Sequence, residues 1–152
     1  MRLMLAGLYL LLLTALQASA AEKFSCGGAD IEFNFAKNQA DGMEDHVEAI
    51  ILVNRGERST VLRYDGNVDF VGGVCVRNGY DKPTIVFQAY CGGSGCHDLD
   101  NWGIVDPSDL RVRLVPNDWN RRDAEKILGA PLPKIDHMIS ISHEAEKLGL
   151  KW

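Results

Sequence analysis

Ile31-Glu32-Phe33-Asn34-Phe35 decides the fold class. Large apolar side chains alternate with polar ones at a period of two, the mark of a β-strand with one buried and one wet face; a helix needs a spacing near 3.6. The same kind of signal recurs outward from this stretch. Residues 47–53 form a β-branched apolar run that predicts a strand covered on both faces. Arg55-Gly56-Glu57 reads as a turn, and residues 59–64 and 68–76 flank Asp65-Gly66-Asn67, which predicts a hairpin and a meander. Residues 83–90 predict a strand with Ile85, Phe87 and Ala89 on one side and Thr84, Val86, Gln88 and Tyr90 on the other. Two short strands are expected over 102–105 and 110–115, the second with Leu110, Val112 and Leu114 on one face, before Pro116 ends the pairing.

The period then changes. Asn117 or Asp118 is placed to cap a helix that runs to about Leu128, with Trp119, Ala124, Ile127 and Leu128 near helical spacing and Gly129 as the stop. Residues 138–141 predict a further strand, and Ser142 a cap for a last short helix ending at Gly149. The expectation is an α+β fold, mostly β: one antiparallel sheet of about seven strands with one or two short helices near the C-terminus, stabilised by disulfides.

The 152 residues are 46% hydrophobic and carry a net charge of -5, which suits one globular domain and repels a phosphate backbone, so no nucleic acid is expected as partner. Arg2 precedes a leucine-rich run ending in Ala18-Ser19-Ala20, a small-residue cleavage pattern. Residues 1–20 therefore read as a signal peptide and 21–152 as a single domain, periplasmic or secreted, without a stable membrane anchor after cleavage.

In an oxidising compartment the four cysteines predict two disulfides, and four cysteines allow three connectivities. Cys91 and Cys96 are separated only by the flexible Gly92-Gly93-Ser94-Gly95, so proximity favours that bond and leaves Cys26 to pair with Cys75. Zinc on Cys91, Cys96 and His97 is the competing reading; its spacing and compartment are unsuitable, and no metal or cofactor is expected.

The stretch 91–103 holds the candidate site: Gly92, Gly93, Ser94, Gly95, His97, Asp98, Asp100 and Trp102. Ser94 with His97 and Asp98 suggests a hydrolase, but a nucleophile elbow needs glycine where Cys96 stands. Asp98 and Asp100 suggest an acid/base pair, yet such carboxylates must flank a bond across a cleft. Asp98, Asp100 and Gly103 match positions 1, 3 and 6 of a calcium loop, while Trp102 and Asp109 fail positions 5 and 12. The bland alternative is a disulfide-clipped connector with Trp102 buried as a strand anchor. No catalytic residue is assigned, and His46, His137 and His143 read as surface or interface residues.

Phe24-Ser25-Cys26-Gly27-Gly28 followed by the strand at Ile31 resembles the opening of small periplasmic lysozyme inhibitors. That resemblance implies a β-rich, exported, disulfide-bonded protein. The family blocks its enzyme with a Ser-Gly loop followed by tyrosine; here Ser94-Gly95 is followed by Cys96-His97. In size, export and acidity the chain is also similar to periplasmic immunity proteins against cell-wall-degrading toxins. The expected function is a non-enzymatic exported binding protein, an inhibitor or immunity protein whose 91–96 loop enters a partner's cleft. The alternatives are a small secreted hydrolase using Ser94 or the Asp98 and Asp100 pair, and a structural envelope protein.

Overall fold

The computed structural model describes residues 19–38, 46–65, 67–96 and 100–150. The expected signal peptide lies almost wholly outside the described residues. Among those described, nine strands and two helices run in the order β1 (Ser19–Cys26), β2 (Ala29–Asn38), β3 (His46–Arg55), β4 (Arg58–Tyr64), β5 (Phe70–Arg77), β6 (Pro83–Tyr90), β7 (Trp102–Asp106), β8 (Arg111–Leu114), α1 (Arg121–Leu128), β9 (Ile139–Ser140) and α2 (Ile141–Lys147). No helix among them is long and apolar enough to cross a membrane.

Mostly β is correct, but a single sheet of about seven strands is not. The strands form two antiparallel sheets, ordered β1-β2-β3-β4 and β8-β7-β6-β5-β9. The expected hairpin across residues 65–67 does not exist: β4 pairs with β3, and β5 pairs with β6 and β9. That connection carries the chain from one sheet to the other. Folding one sheet over the other buries two apolar faces at once, which no flat meander achieves. Phe33, Phe35, Ala49, Ile51 and Val53 from the first sheet meet Val71, Ile85, Phe87, Ala89 and Val105 from the second. Cys26 on β1 is bonded to Cys75 on β5, so the longer disulfide joins the sheets.

The first sheet has one covered face. In β3, Val47, Ala49, Ile51 and Val53 are buried, whereas Ile50 and Leu52 are only half-buried, so this strand is not enclosed on both sides as its composition suggests. The second sheet is enclosed. Every residue of β6 from Thr84 to Ala89 is buried. Val86, Trp102 and Ile104 face an outer layer made by Ala124 and Leu128 of α1 and by Leu132 and Ile135. Close packing here requires glycine: the Phe87 ring lies across the space where a Gly103 side chain would stand, on the facing residue of β7. Between β7 and β8 the register slips, pairing Ile104 with Leu114 and Val105 with Val112. The slip sends Val112 to the inter-sheet core and Leu114 to the outer layer, overturning the single shared face expected for them.

Helix α1 begins later than expected, after Asn120 rather than Asn117 or Asp118, and stops at Gly129 as expected (φ 65°). The late start leaves Trp119 outside the helix and 75% exposed, and Ile127 is also exposed. Asn120 makes no cap bond. Its side chain instead binds both backbone groups of Trp102, at 2.9 and 2.6 Å, and the Val115 carbonyl at 2.7 Å, tying the helix start to β7. Helix α2 follows β9 and closes one end of the inter-sheet core with Ile141 and Ala145.

Candidate functional site: the loop end of the sandwich

Strand β6 ends at Tyr90, and the chain turns out through the Cys91–Cys96 disulfide, the second expected pairing. The Cys96 N–H donates to the Gly93 carbonyl at 3.0 Å, closing a turn inside the ring. The base of the loop is held from the side as well. The Gly92 N–H donates to Asp69 Oδ2 at 2.6 Å, and the Phe70 ring stands 2.6 Å from where a Gly92 Cβ would be. Phe70 in turn packs on Tyr90, ring centres 5.5 Å apart. Gly92 is therefore required for close approach to Phe70. Gly95 has a different character, with open space around it, and both Ser94 and Gly95 are exposed. The arrangement is an exposed tip on a base fixed by a disulfide, a carboxylate and an aromatic pair.

The remaining expected site residues separate. His97 and Asp98 lie outside the described residues. Asp100 is half-buried. Trp102 is 5% exposed in the outer hydrophobic layer, so it anchors β7 and is not presented to a partner. Val86, Ile104 and Leu128 pack with its indole in that layer. Gly103 is the second residue of β7 and lies under the Phe87 ring, which removes it from any ion-binding loop. Cys91 and Cys96 are taken up in their disulfide, and the described residues contain no cluster of three metal-ligating side chains.

Two features of this end escape the sequence reading. Asp69 and Phe70 fix the loop across more than twenty residues, with no local spacing to announce them. A cleft of 350 Å³ also opens beside the loop, between Tyr64 and Val68 on one side and Asn117 and Asp118 on the other, with Tyr90 and Cys91 along it. Asn101, buried, donates from Nδ2 to Asp118 Oδ1 at 2.9 Å and so holds the far wall in place. Burial pushes the Tyr64 hydroxyl up to about 12.

At the opposite end, Arg55 Nη1 donates to the Gly27 carbonyl at 2.5 Å and the Pro107 carbonyl at 2.9 Å, bracing the β1–β2 turn against the β7–β8 turn. The Ser108 hydroxyl beside Asp106, at 2.6 Å, holds that carboxyl below the ordinary carboxylate range, with Arg113 at 3.0 Å adding to the effect. No protein-family model, curated protein or solved structure matches this chain, so its function rests on the geometry of these two ends.

Proposed function

We propose that this is an exported, non-enzymatic binding protein, an inhibitor or immunity protein, that blocks a cell-wall hydrolase or toxin by inserting the 91–96 loop into its cleft. One observation carries the reading: the exposed Ser94-Gly95 tip stands on a base held by the Cys91–Cys96 bond, Asp69 and Phe70. A loop ordered before binding gives up less conformational entropy when it docks, so more of its contact energy appears as affinity. Two disulfides accord with an oxidising compartment outside the cytoplasm, where such a partner works. A net charge of -5 favours encounter with a basic partner.

Ser94→Trp tests this directly. Ser94 is exposed, so the melting temperature should stay within about 2 °C, as surface changes alter stability by about 0.5 kcal/mol or less. A bulky ring at the tip should abolish inhibition in a cell-wall lysis assay and capture of the hydrolase from envelope extract. A stable Ser94→Trp protein with unchanged protection eliminates the loop as the contact. Wild-type protein that captures no hydrolase and gives no protection eliminates the function.

A further inference from the structure

We infer that the cleft beside the loop is a binding site for a short neutral glycan, a function separate from capture of a protein partner by the tip. The chemistry of the walls selects the ligand. Tyr64 and Tyr90 line the cleft together with Asn67, Asn101, Asn117 and Asp118, and no lysine or arginine among the described residues does so. With no lysine or arginine among them, the described lining residues have nothing to neutralise a phosphate, sulfate or carboxylate. The one carboxylate among the described lining residues, Asp118, is bonded on one oxygen by Asn101 and falls well short of the several oxygen ligands a metal needs.

A sugar ring fits each of these features. Every sugar hydroxyl is both donor and acceptor, and an asparagine amide offers both functions on one side chain. Tyr64 also lines the cleft, and its hydroxyl is another group that both donates and accepts. Sugar rings also carry apolar C–H faces, which pack on aromatic surface such as that of Tyr90. The volume of 350 Å³ lies at the small end of the range for small-molecule sites, which limits the ligand to a few rings. The walls are set in advance. Asn101 fixes Asp118, and Asn117 Oδ1 accepts the Trp119 N–H at 3.0 Å, so the segment carrying both is already shaped. Asn67 is exposed at the mouth with no side-chain hydrogen bond among the described residues, leaving its amide available.

The test is saturation-transfer NMR on the folded full-length mature protein, with chitotriose, cellotriose and maltotriose each at millimolar concentration. At least one trisaccharide should receive saturation, and Asn67→Ala should weaken its binding about tenfold, as expected for loss of a hydrogen bond left unreplaced. Tyr90→Leu, which keeps an apolar group against Phe70, should weaken it further. Ser94→Trp should leave it unchanged, because Ser94 does not line the cleft. Near-UV circular dichroism confirms that each variant is folded. No saturation from any of the three sugars overturns the proposal, as does sugar binding indifferent to both cleft variants. A lysine-rich peptide that binds the cleft where no sugar does also overturns it and identifies a cationic ligand instead. Loss of sugar binding with Ser94→Trp would place the sugar on the loop rather than in the cleft.

Discussion

The two ends of the sandwich are built to opposite purposes. At one end the turns of the two sheets are locked together: Cys26 is bonded to Cys75, and Arg55 bridges the carbonyls of Gly27 and Pro107. At the other end the connections reach outward, with a short disulfide ring, an open tip and a cleft. Both ends use one disulfide, yet the first closes a loop of 49 residues between sheets and the second a loop of 5 within a single connection. The difference teaches that a crosslink's place in the topology, more than its presence, decides whether it supports the fold or shapes a surface.

Removing the crosslinks should show the largest effect. In the loop-entropy account, Cys26→Ser with Cys75→Ser costs about 4 kcal/mol of unfolding free energy, and Cys91→Ser with Cys96→Ser about 2 kcal/mol. Urea denaturation of the two double variants measures the gap. Equal losses would break the contrast between the ends. Next in size is Arg55→Ala, which leaves the Gly27 and Pro107 carbonyls without their charged donor and should cost about 1–2 kcal/mol by the same measurement.

At the open end, Asp69→Ala removes the acceptor for the Gly92 N–H and should cost about 1 kcal/mol or less. Its larger signature is faster hydrogen exchange at Gly92, with binding by the loop weakened more than stability. The smallest effect is expected at Asp106. Its carboxyl is lowered in the folded state, so its contribution is present above the unfolded-state pKa of about 4 and is lost as pH falls through the folded value. The acid limb of the stability profile should therefore be shallower in Asp106→Asn, measured by thermal melts between neutral pH and about pH 2. An identical acid limb would show that the Ser108 and Arg113 contacts leave the titration of the folded protein untouched.

How far the sequence reveals these ends depends on the range of the interactions involved. The alternation at Ile31, Phe33 and Phe35 is local, and so is the stop at Gly129; both are legible. The two disulfides follow from the short spacer between Cys91 and Cys96. The division into two sheets is not legible, because Asp65-Gly66-Asn67 has hairpin chemistry and only the need to cover Phe33 and Phe87 together sends the chain elsewhere. Val112 and Leu114 share a face by spacing and are parted by a register slip that no residue type signals. At the site, Gly92 to Gly95 were visible as an unusual loop, whereas Asp69, Phe70 and Asn67 reach it only through the fold. Trp102 and Trp119 exchange roles for a related reason: a helix starting after Asn120 leaves one indole exposed, and strand β7 carries the other inward.

Asp69 also binds in a second direction, its carbonyl accepting the Ile141 N–H at 2.9 Å while β9 completes the edge of β5. The residue that positions Gly92 is thus itself positioned by the last part of the chain. Chains are synthesised from the N-terminus, and pairings distant in sequence close slowly. The first sheet, made only of neighbouring hairpins, can form early, but the loop acquires its final shape only when residues 139–141 have docked. Truncated or half-made molecules would accordingly possess a sheet and lack the completed support beneath the 91–96 loop.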